Sequence, residues 1–79
     1  MKKYGIYLKP AMGEPGAWLI GVSRDFNTDD NYLELMDETS VPDAIAPRIA
    51  IAFDGIAYAA FFAGAIGLTP AQAEIKEVM

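Results

Sequence analysis

Three observations predict an α+β domain. Residues 3–9 alternate, with Tyr4, Ile6 and Leu8 on one face and Gly5, Tyr7 and Lys9 on the other, the period-2 pattern of a strand. Residues 17–23 (Ala-Trp-Leu-Ile-Gly-Val-Ser) form a short β-prone apolar run between turn residues. Residues 47–68 then carry only Arg48 and Asp54 as charges and are rich in alanine, the residue that most favours helix. The expected architecture is a small antiparallel β-meander of about three strands packed on a hydrophobic helix, with a short C-terminal helix. One domain spans residues 1–79, because a chain of this length cannot hold two cores.

The elements follow in order. Strands are expected at about 3–9, 17–23 and 32–36. The first two are joined as a hairpin through residues 10–16, where two prolines and two glycines mark a loop. In the third, Leu33 and Leu35 face inward. A helical turn is read at residues 42–46, where Ser40 and Asp43 have the spacing of a capping box. The main helix is placed at about 47–66. Pro47 suits a first turn, and Ile49, Phe53, Ile56, Ala60 and Ala63 recur at helical spacing. A competing reading makes residues 48–53 a fourth strand, Asp54-Gly55 a turn, and starts the helix there; alanine propensity favours the longer helix. Gly67 is expected in the left-handed region as the helix stop. Thr69 as cap, Pro70 at the first position and Gln72 as the box partner predict a second helix at about 70–78.

Composition narrows the chemistry. The chain has no cysteine and no histidine, which excludes thiolate metal sites, disulfides and every Ser-His or Cys-His catalytic pair. No enzyme activity, metal or cofactor is expected. Eleven acids against six bases give a net charge of −5, which disfavours direct nucleic-acid binding, since that requires clustered Lys and Arg. The opening residues are too short in apolar content, and too interrupted by Lys9 and Pro10, to read as a signal peptide. A cytoplasmic protein is the expectation.

The acidic run is the strongest signal. Asp25, Asp29, Asp30, Glu34, Asp37, Glu38 and Asp43 place seven of the eleven carboxylates within nineteen residues, with no Lys or Arg among them. Such a run is either the solvated face of a loop and edge strand or a docking face for a basic partner. Asp25, Asn27, Asp29 and Glu34 also have the beginning of a calcium loop, but Asp30 and Met36 occupy the positions where an EF-hand needs glycine and glutamate; the alternative is an Asx-rich turn between strands. The corner at residues 67–70 has the form of a helix-turn-helix turn, without the basic side chains that would read DNA. Residues 49–68 are long enough to span a bilayer, but Asp54 interrupts them, and the strands would then have no core. Trp18 is read as a packing residue. Asp54 is expected to reach the surface, cap a helix restart, or pair with Arg48.

The functional expectation is a non-catalytic protein-binding module. Asp25, Asp29, Asp30, Glu34, Asp37, Glu38 and Asp43 would contact a protein with a basic, nucleic-acid-binding surface. In size and charge the chain resembles phage-encoded inhibitors of host defence, including anti-CRISPR proteins; the likeness is compositional, with no residue pattern behind it. The alternative is a structural or assembly subunit that forms a homo-oligomer through its apolar helix. Tyr58, Phe61 and Phe62 cannot all face one way, so part of that helix needs a partner or the C-terminal helix to cover it.

Overall fold

The computed structural model describes residues 2–28, 30–37 and 50–78. Among these described residues are one helix and one four-stranded antiparallel sheet. The strands are β1 (Tyr4–Leu8), β2 (Ala17–Asp25), β3 (Asp30–Asp37) and β4 (Ala73–Glu77), and the helix is α1 (Ile56–Ala65). The spatial order β3-β2-β1-β4 is a Greek key: three successive strands form the meander, and a fourth returns beside the first. The mixed α and β composition agrees with the sequence; the sheet has four strands where about three were expected. The helical turn expected at 42–46 lies outside the described residues.

Two boundaries differ from expectation. Residues 50–55 are not helical and the helix starts at Ile56, just after Asp54-Gly55, as in the competing reading; the strand of that reading is not formed over residues 50–53, where Phe53 makes an isolated bridge to Tyr4. The reason lies in the sheet. β1 and β2 pair only at Tyr7–Trp18 and Leu8–Ala17 and then diverge. Into the gap runs the segment around Ile51: its N–H donates to the Leu19 carbonyl at 3.0 Å, while Phe53 and Tyr4 exchange two bonds of 2.8 and 2.9 Å. Three backbone hydrogen bonds outweigh the few tenths of a kcal/mol per residue that helix propensity offers.

The second difference is the C-terminal element, which is strand β4 and not a helix. The local start signal is nevertheless formed. The Thr69 N–H donates to Gln72 Oε1 at 3.0 Å, and Ala73 N–H reaches the Thr69 carbonyl at 3.0 Å. One turn closes, and then the chain extends along the open edge of β1, with Ile75 opposite Ile6 and Ala73 opposite Leu8. The alternation Ala73-Glu74-Ile75-Lys76 serves a half-buried strand better than a helix. With a strand in second place, the helix-turn-helix reading of residues 67–70 falls away.

Burial follows the strand alternation. Ile6 and Leu19 are fully buried beneath Ala59 and Ala63 of α1, with Leu8, Val22, Leu33, Phe53, Phe62 and Ile75 packed around them. A β-bulge between Leu19 and Gly21 shifts the alternation, so that Leu19 and Val22 share the helix-facing side although three residues apart. The other side of the sheet holds a smaller cluster of Tyr7, Trp18 and Ala50. The Tyr7 and Trp18 rings are tilted by 58° with centroids 5.3 Å apart, and Lys76 Nζ lies 3.8 Å from the Tyr7 centroid. Trp18 is thus a packing residue.

The end of α1 matches its sequence signal. Gly67 has φ +91°, Leu68 N–H bonds the Ala63 carbonyl and Gly67 N–H bonds the Gly64 carbonyl, which together make a Schellman motif. Replacing Gly67 with alanine forces a Cβ into the left-handed region. Gly67→Ala should lower unfolding free energy by about 1 kcal/mol in urea titration, with no change in far-UV circular dichroism.

Candidate functional site

The acidic residues sit on the hairpin of β2 and β3, at the edge of the sheet opposite β4. Register fixes their directions. Asp25 lies opposite Asp30, Ser23 opposite Tyr32, and Gly21 opposite Glu34. Residues directly opposite in an antiparallel pair share a face, and alternation along β3 keeps Asp30, Tyr32 and Glu34 together. Val22 and Leu33 occupy the helix side, so Asp25, Asp30 and Glu34 all lie on the face away from α1. A rise of about 3.4 Å per residue separates Asp30 from Glu34 by roughly 13 Å along the strand. Ser23 Oγ donates to Glu34 Oε1 at 2.7 Å, which aligns that carboxylate along the face.

Other predicted members separate from these. Asp37 lies opposite Ala17, half-buried on the helix-facing side at the far end of the hairpin. Asp29, Glu38 and Asp43 lie outside the described residues. The Asn27 N–H donates to Asp25 Oδ1 at 2.9 Å, so this stretch forms an Asx turn from β2 towards β3. Asp54 is exposed and pairs with Lys3; the pairing expected with Arg48 lies outside the described residues.

One aromatic residue belongs to this face that the count of charges did not reveal: Tyr32, 54% exposed, stands between Asp30 and Glu34, while Phe26, 88% exposed, follows Asp25 in the turn at the hairpin tip. The signal was present in the alternation Asp30-x-Tyr32-x-Glu34. Exposed aromatic side chains beside charge have a composition found at interface anchors.

The predicted apolar contact residues also divide. Phe62 turns inward, its ring 5.3 Å from Phe53. Tyr58 and Phe61 are 69% and 80% exposed, on a helix face that no C-terminal helix covers. Between α1 and β4 runs a groove of about 510 Å³ lined by Ala60, Ala63, Gly64, Leu68 and Ile75 among others. Among the described residues, no helix is long and apolar enough to cross a membrane; α1 has ten residues, about half a bilayer span.

Comparison with protein-family models, with curated proteins and with solved structures finds no match.

The Asp25–Asp30 juxtaposition works against folding, because like charges directly opposite repel. Asp30→Asn should therefore raise stability by roughly 0.3 kcal/mol at low ionic strength. The gain should vanish at 1 M salt, where screening acts within about 3 Å; paired urea titrations at the two salt concentrations read it.

Proposed function

We propose that the protein is a non-catalytic inhibitor that occupies a basic, nucleic-acid-binding surface of another protein. The observation that carries this reading is the convergence of Asp25, Asp30 and Glu34 on one face of the β2–β3 hairpin, with Tyr32 and Phe26 exposed beside them. Carboxylates in a row imitate the charge of a phosphate backbone, steer encounter with a basic surface and fix register on it. The aromatic rings supply the desolvated contact that charge alone does not. In size and acidity the chain resembles phage proteins that block host defence enzymes, anti-CRISPR proteins included, a likeness of composition alone. A soluble protein acting in the cytoplasm suits this role.

A second reading, an assembly subunit, draws on a different observation: the uncovered apolar face of α1 at Tyr58 and Phe61.

Tagged protein incubated with bacterial lysate at low salt should retain a basic partner. Added duplex DNA or 0.5 M salt (on the order of a 4 Å Debye length) should release it. Asp30→Lys/Glu34→Lys, checked for native circular dichroism, should retain none. If wild type and variant recover the same proteins, or if DNA fails to compete, the inhibitor reading is wrong.

A further inference from the structure

The second edge of the sheet carries an inference that does not depend on the acidic face. β4 is an edge strand, and its hydrogen bonds show which of its groups are unused. Val78 N–H donates to the Lys3 carbonyl and Lys9 N–H to the Gln72 carbonyl. Bonded pairs with β1 therefore fall on Gln72, Glu74, Lys76 and Val78. The alternation of an antiparallel ladder then turns the backbone of Ala73, Ile75 and Glu77 away from β1. Ala73 N–H is taken by Thr69, which leaves the N–H groups of Ile75 and Glu77 and the carbonyls of all three along the open edge.

We propose that a second copy of this chain pairs its β4 antiparallel to this edge, making a two-fold dimer with one continuous eight-stranded sheet. The sequence of β4, Ala-Glu-Ile-Lys-Glu, is self-complementary about Ile75. Centring the two-fold there sets Ile75 against Ile75 of the second copy in a bonded pair. Glu74 falls opposite Lys76 of the second copy, and Lys76 opposite its Glu74. Glu77 N–H meets the Ala73 carbonyl of the second copy. Sliding by one bonded step either way places Glu74 against Glu74 or Lys76 against Lys76. Both alternatives set like charges opposite each other, so charge selects the central register.

The helix side agrees. Ile75 projects to that side beside the groove floored by Ala60, Ala63 and Gly64, and a Cβ added at Gly64 would meet nothing. α1 packs on both β1 and β4. With strands about 4.8 Å apart, the two-fold lies half a spacing beyond β4. Because α1 packs on these two strands, the two-fold brings the helices of the two copies towards each other, and Ala60 and Gly64 of each copy would face each other across it, with Ala57 and the exposed ring of Phe61 at the rim. This contact closes an apolar groove that a monomer leaves open to water.

Sedimentation equilibrium across the micromolar range tests the proposal with a charge swap. Wild type should be a dimer. Glu74→Lys alone and Lys76→Glu alone each create two like-charged pairs and should weaken dimerisation about tenfold or more. An equimolar mixture of the two variants restores both Glu–Lys pairs and should recover wild-type affinity as a heterodimer, which misfolded variants could not do. A monomeric wild type, a dimer indifferent to both substitutions, or single variants weakened without recovery on mixing would each overturn it. Capture of an unrelated strand in place of the second copy would leave wild type monomeric and so fall under the first of these.

Discussion

The contact of Ile6 and Leu19 with Ala59 and Ala63 governs the rest of the molecule. These two sheet side chains are the largest to be fully buried, and the helix meets them with methyl groups. α1 must therefore lie close to the sheet and can present only a narrow stripe to it. Phe53 and Phe62 extend that stripe on one side, but Tyr58 and Phe61 have no strand beneath them. A chain of 79 residues buries only about 60% of its unfolded surface. Among the described residues the shortfall falls on Ile56, Tyr58 and Phe61 of this helix and on Met12, Phe26, Tyr32 and Leu35 of the sheet and its loops.

Backbone hydrogen bonding decided the segments on either side of α1, and sequence patterns are weakest there. The segment at residues 51–53 contains Ile-Ala-Phe, which fits a helix by propensity and a strand by alternation. What separates the two is the divergence of β1 from β2, a long-range feature that leaves Tyr4 and Leu19 needing partners. The box of Thr69 and Gln72 was legible and correct for a single turn. It could not reveal that β1 had a free edge for Ala73–Glu77 to complete. β1, β2, β3 and the Gly67 stop were readable because each rests on local alternation or on one glycine's φ.

The acidic face was legible in amount and not in direction. Composition located the charge between Asp25 and Asp43, but only the ladder sends Asp25, Asp30 and Glu34 to one side and Asp37 to the other. The bulge at Leu19/Gly21 matters here. Without it, residues 21, 23 and 25 would follow Leu19 onto the helix-facing side. One unpaired residue thus reconciles an apolar run at Leu19, Ile20 and Val22 with a carboxylate-bearing outer face. By type Tyr32 is simply a strand former; its surroundings are defined by Asp30 and Glu34 two positions away on the same face.

The two surfaces lie on opposite edges, the acids at β3 and the open ladder at β4, so neither obstructs the other. A two-fold relating antiparallel β4 strands is perpendicular to the sheet, and it keeps both outer faces on one side and both helices on the other. β1 and β2 part beyond Trp18 to admit the segment around Ile51, so the acidic end of each hairpin lies on the part of the sheet that diverges from β1. Two weak acidic faces carried by one dimer would engage a target together, and the second contact would form at high effective concentration. An apolar groove that is incomplete burial in the monomer would then hold the two acidic faces in one assembly.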